Sequence, residues 1–100
     1  MAERRYRRDG YRVLARNWRC PSGEIDLILE RRGVVVFSEV KTRSSTAFGL
    51  PAEAVDRRRQ SRLRAAAATW IRSTGTHPTE LRFDVVSVLP GRVERLEGAF

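Results

Sequence analysis

The sequence predicts an α/β domain, a mixed β-sheet flanked by helices, and three observations carry that expectation. "EIDLILE" (24–30) and "VVVFSEVK" (34–41) alternate or are β-branched over strand lengths, with the short link "RRG" between them. Leu63, Ala66, Ala67, Trp70 and Ile71 then recur at helical spacing. Alternation returns in "LRFDVVSV" (81–88). With 100 residues there is room for a single domain with one modest core, spanning 1–100.

The elements follow in order. "MAERRYRRDG" has helix-favouring composition, and Gly10 is a stop, so a short helix is expected from Ala2 to about Arg8. "YRVLARN" reads as a first strand with Tyr11, Val13 and Ala15 on one side and Arg12, Leu14 and Arg16 on the other. "WRCPSG", with Pro21 and Gly23, reads as a turn. In the second strand Ile25, Leu27 and Leu29 face one way, and Glu24, Asp26, Ile28 and Glu30 the other. In the third, Val35, Phe37, Glu39 and Lys41 share a face opposite Val34, Val36, Ser38 and Val40. "TRSSTAFGLP" (42–51) is a polar loop that either closes over a bound strand or simply connects elements. The long helix ends near Thr74 and Gly75, and "RVERLE" after Pro90-Gly91 is a last edge strand.

Charge narrows the function. Twenty basic against 12 acidic residues leave a net charge of +8 and a pI near 11.3, which favours a polyanionic partner: nucleic acid first, an anionic membrane surface second. The longest apolar run outside the alanine-rich helix is Val34 to Phe37, so no membrane span is expected, and without a leader pattern the protein reads as cytoplasmic. A lone Cys20 and a lone His77 exclude an internal disulfide and a zinc cluster of soft ligands.

Every basic side chain but one is arginine, and the exception, Lys41, sits in "FSEVKTR". An ammonium is a compact point donor, unlike the forked guanidinium. Its neighbours are as unusual, because Glu39 and Lys41 continue a face begun by Val35 and Phe37, where alternation predicts core. Such charges must meet each other, solvent or a cation. Counting outward from the hairpin turn brings Glu39 level with about residue 25, leaving Asp26 and Glu39 neighbours on one face. Two carboxylates side by side suit a hard cation such as Mg²⁺ or Mn²⁺, with Lys41 free to orient a water or stabilise charge on phosphorus oxygens. A structural ion-pair cluster at the sheet edge is the alternative for these residues.

Asp26 and Glu39-Val40-Lys41 resemble the D…(D/E)-X-K signature of the PD-(D/E)XK nuclease superfamily. More closely, "GYRVLARNWRCPSGEIDLI", "VFSEVKTR", "AFGLPAEAV" and "RFDVVSV" resemble the YraN-like proteins, predicted endonucleases related to archaeal Holliday junction resolvases. The resemblance implies a restriction-endonuclease-like fold. It implies Asp26, Glu39 and the Val40 carbonyl as metal ligands, Lys41 as catalytic base or water-orienting group, and Glu24 as a supporting carboxylate. It also implies a DNA substrate of branched or flapped form, and a homodimer if two strands of a junction are to be cut. Ile25 stands where the superfamily signature has proline, and Arg59 beside Gln60 where relatives carry lysine. Arg43, Arg57, Arg58, Arg59, Gln60 and Arg62 are the expected nucleic-acid contacts. Relatives begin with a longer helix bearing a glutamate that can help hold the metal, which here would precede Met1; Glu3 lies about one helical turn further along on the same helix face and is not counted among the expected ligands. The rival to an endonuclease is a catalytically silent nucleic-acid-binding protein on the same fold, or a basic module that docks on ribosomes or an acidic protein.

The remaining candidates have simpler readings. Asp84 is expected to pair with an arginine on an adjacent strand, Trp18 and Trp70 to pack in or at the rim of the core, and His77 to lie in a loop.

Overall fold

A computed structural model describes residues 1–43 and 55–100. The order is α1 (Ala2–Arg8), β1 (Arg12–Cys20), β2 (Gly23–Arg31), β3 (Val34–Thr42), α2 (Arg57–Thr74), β4 (Glu80–Leu89) and β5 (Arg92–Leu96). The strands form one five-stranded mixed sheet in sequence order, antiparallel throughout except for the parallel pair β3 and β4. This is the α/β architecture of a sheet covered by a helix on each face, consistent with a restriction-endonuclease-like fold. From residue 44 onward the expected polar loop lies outside the described residues, as does most of the "AFGLPAEAV" block.

Two apolar layers reproduce the alternation of β3. Val35 and Phe37 pack with Ile25, Ile28 and Val85 beneath Leu63, Ala66, Ala67 and Trp70 of α2. The alanines let the helix approach the sheet closely, and Trp70 meets Phe37 edge to face at 5.9 Å. Val36 packs on the other face with Leu27, Leu29 and Val86, beneath Ala2 and Tyr6 of α1.

Local chemistry places the ends. The β2–β3 hairpin closes through Arg32 and Gly33, both at positive φ (51° and 83°), the conformation a two-residue turn of this hand demands. A Cβ on Gly33 would lie 2.7 Å from Thr79 Oγ1, so nothing larger fits without displacing the entry to β4. Asp56 caps α2 by accepting from Arg59 N at 2.9 Å, and Gly75 in the left-handed conformation (φ 67°) returns its N–H to Ile71 O.

Three expectations about strands need correction. β1 runs on through Trp18, Arg19 and Cys20, because Pro21 and Ser22 suffice to turn the chain and the strand pairs as far as Cys20 with Gly23. The register of β1 shifts between Val13 and Ala15, so Leu14 and Ala15 both pack toward the α2 layer rather than on opposite sides. Ile25 does not share a face with Leu27 and Leu29. Ala15 and Trp18 on β1, like Ile28 and Ile25 on β2, lie in the same layer although three residues apart. Both strands therefore switch face together, and positive-φ Asn17 marks the spot, level with Asp26.

Candidate active site

The switch sits where β2 and β3 part. Their pairing stops at Leu27 with Ser38, whereas β3 and β4 stay paired to Thr42 with Val88. Continued by one residue, the register sets Asp26 opposite Glu39, one position from the level that counting from the turn suggested. Beyond the last pair a side chain takes over from the backbone ladder: the Val40 N–H donates to Asp26 Oδ2 at 2.8 Å.

Burial pushes the Asp26 carboxyl above its ordinary value, and the negative charges of Glu39 and Glu24 push it further; the Val40 N–H and the Arg59 guanidinium oppose this. Asp26 lines a recess of about 550 Å³ together with Glu3, Arg16, Asn17, Val40 and Thr42. This recess lies at the carboxyl ends of β3 and β4, where open α/β sheets place their ligands.

Glu39, only 3% exposed, projects from the α2 face of β3 and is held by a two-pronged ion pair. Arg59 Nη2 donates to Oε1 at 2.8 Å and Nε to Oε2 at 3.0 Å. Lys41 Nζ stands 3.9 Å from Oε1 and keeps 31% of its side chain exposed. Each carboxylate oxygen has two lone pairs, so Arg59 leaves one on each, toward which a further cation can be drawn.

The other predicted residues take different places. Glu24 joins the cluster from the β1–β2 end: it is 3.4 Å from Arg19 Nε and lines a small recess with Arg59 and Arg62. Arg57, Arg58 and Arg62 stand exposed on the first two turns of α2, and Arg43 follows directly after β3, its N–H donating to Val88 O. Gln60 turns inward, donating to the Val55 carbonyl at 3.0 Å, so its amide serves the start of α2. Glu3 lines the same recess as Asp26, yet Arg16 grips it at 2.6 and 2.7 Å and Arg7 at 2.9 Å, which holds its carboxyl at about 2. Among the described residues no set of three acidic, His or Cys side chains converges closely enough to hold a metal ion.

Two features of the site lay beyond sequence reading. Nothing in the spacing pairs Arg59 with Glu39, which lie 20 residues apart and on different elements. Asn17 carries a weak signal, as asparagine tolerates the left-handed conformation better than other side chains.

Fold and cluster together define a small α/β protein with a carboxylate pair, one lysine and one arginine gathered where two of its strands part. Residues 1–88 match the family model described as "Uncharacterised protein family UPF0102". The chain is 50% identical over 95 residues to the UPF0102 protein of Beutenbergia cavernae, covering 90% of this chain and 80% of the relative. It is 51% identical over 89 residues to that of Moorella thermoacetica (89% and 74%) and 48% identical over 105 residues to that of Frankia alni (100% and 88%). The chain belongs to the UPF0102 family. No helix among the described residues is long and apolar enough to cross a membrane.

Proposed function

We propose that the protein is a divalent-cation-dependent endonuclease that hydrolyses phosphodiester bonds in structured or branched DNA. The observation that supports this best is the convergence of Asp26 and Glu39 beside Lys41 at the point where β2 and β3 separate. The donor set fits Mg²⁺ or Mn²⁺. Asp26 is half-buried among negative charges that a cation would neutralise, and Glu39 retains free lone pairs. Asp26, Glu39 and the Val40 carbonyl would hold the ion, water and phosphate oxygens completing its shell. When bound, such a cation supplies Lewis-acid stabilisation of the phosphoryl oxygens and makes its water more acidic.

The chain's own residues do the rest. Lys41, point-charged and partly exposed, orients the water that attacks phosphorus in line, and the proton that this water sheds as the new P–O bond forms passes to solvent. The P–O bond opposite the attack breaks, and the leaving oxygen takes its proton from solvent. Arg57, Arg58, Arg62 and Arg43 hold the flanking phosphates. The reading places the protein in the cytoplasm. A homodimer would bring two such sites to the two strands of a junction, which sedimentation with and without a four-way junction checks.

The grip of Arg59 on Glu39 favours a second reading, in which that internal cation substitutes for a metal and the protein binds nucleic acid without cutting it. One assay separates the two: cleavage of single strand, duplex, flap and four-way junction with Mg²⁺ or Mn²⁺, for the wild type, Asp26→Asn and Lys41→Met. Metal-dependent cutting lost in both variants is the expected result. Binding that persists without cutting, and that ignores metal, sinks the nuclease reading in favour of the second.

A further inference from the structure

A second recess, of about 360 Å³, adjoins the one that holds Asp26, with Met1 lining both. Its wall carries Arg4, Arg5 and Arg8 from α1 and Arg92 from the start of β5, and no carboxylate. Arg4 and Arg8 lie one helical turn apart, both exposed, and neither has an ion-pair partner among the described residues. Like charges at this spacing repel. Elsewhere on the same face arginines are matched: Arg7 and Arg16 with Glu3, Arg95 with Glu97. The other two members of the cluster are fixed in place. Arg5 Nη1 donates to the Val93 carbonyl at 3.1 Å, tying α1 to β5, and its Nε lies 3.6 Å from Asp9, while Arg92 Nη2 sits 3.0 Å from Glu94, so the unmatched charge of the group is that of Arg4 and Arg8.

A concave group of guanidinium ions with too few carboxylates is stabilised by an anion, and the forked donors match phosphate oxygens best. We propose that this recess is a phosphate-binding subsite for a nucleic-acid backbone, on the face of the sheet opposite α2. The inference rests on the nucleic-acid reading above and adds a second wall to it. A strand at the candidate site is gripped by the α2 arginines on one side and by Arg4, Arg8 and Arg92 on the other.

The test measures binding of fluorescein-labelled single strand and duplex by anisotropy across a salt series. It compares the wild type with the double variant Arg4→Ala/Arg8→Ala and with Arg12→Ala/Arg72→Ala, which removes equal charge elsewhere. The α1 variant is expected to bind about tenfold more weakly on duplex, with a salt slope shallower by about one to two, as fits the loss of one or two phosphate contacts. The control is expected to change less than threefold. Equal losses in both variants, or none in the α1 variant of a protein that binds, overturn the subsite and leave the nucleic-acid reading intact. A wild type that binds neither polymer overturns that reading instead. Inorganic pyrophosphate titrated into ¹⁵N-labelled wild type then decides the recess by itself: shifts confined to the Nε–H groups of Arg4, Arg8 and Arg92 support it. Shifts spread evenly over the arginines overturn it.

Discussion

Asp84 and Asp26 are both aspartates on strands of one sheet, yet their surroundings differ in kind. Asp84, fully buried under α1, receives Arg82 Nε at 2.8 Å and Nη2 at 2.9 Å, the Tyr6 hydroxyl at 2.8 Å and the Gly98 N–H at 3.1 Å. Burial and the Asp84 charge push the Tyr6 hydroxyl up, so it remains a donor. Ser38 lies 3.0 Å from the same hydroxyl and completes a closed network. Asp26 takes one backbone bond at its strand's parting and otherwise lies among the charges of Glu39, Glu24 and Arg59, with no side-chain donor bonded to it among the described residues. A carboxylate whose lone pairs are spent on protein donors holds structure together, whereas Asp26 keeps most of its acceptor capacity unspent beside other carboxylates.

The contrast breaks first at Asp84. Asp84→Ala leaves Arg82 without its main partner at 17% exposure, and the loss expected in urea denaturation is about 3–5 kcal/mol. A loss below about 1 kcal/mol would show that the network is not what anchors α1 to the sheet. Tyr6→Phe removes a donor that Asp84 can partly spare, so about 1–2 kcal/mol is expected in the same measurement.

Asp26→Asn should act in the opposite direction. Asparagine still accepts from the Val40 N–H but removes charge beside Glu39 and Glu24. The folded state raises the Asp26 pKa above 3.8 and therefore binds its proton more tightly than the unfolded chain. Its contribution to wild-type stability accordingly falls as pH rises from 3.8 through the raised value. The variant should be more stable above that window, by less than about 1 kcal/mol, and lose its advantage below it. Urea midpoints of both proteins across pH check the crossover, and a less stable variant at neutral pH contradicts the picture.

Glu3, in the same recess, has the reverse sign and the smallest effect. Its folded pKa is depressed from 4.5 to about 2 by Arg16 and Arg7, so the stability it contributes is present above 4.5 and lost as pH falls through about 2. Glu3→Gln should remove that acid dependence, and ¹³C-detected titration of the Glu3 carboxyl should give its midpoint near the depressed value.

Much of the fold is legible in the chain alone. The β2–β3 hairpin, the face shared by Val35, Phe37, Glu39 and Lys41, the stripe of α2 and the edge strand β5 all follow from side-chain period and turn chemistry. Alternation fails at Ile25 because one left-handed residue on the neighbouring strand, Asn17, lets both strands switch face. It fails at Leu14 because a register shift adds a residue to one strand only. Asp84 does pair with an arginine, but the arginine is Arg82 on its own strand, since residues two apart on a strand share a face.

By itself the sequence determined the elements, their two apolar layers, the excess of arginine and the nearness of Asp26 to Glu39, all consequences of period and composition over short stretches. Tertiary structure alone decided which charge meets which. Arg59 reaches Glu39, Arg16 closes on Glu3, and Tyr6 rather than solvent faces Asp84, because those meetings depend on how two helices dock against opposite faces of one sheet. Docking is a property of whole faces, and no short stretch of chain encodes it.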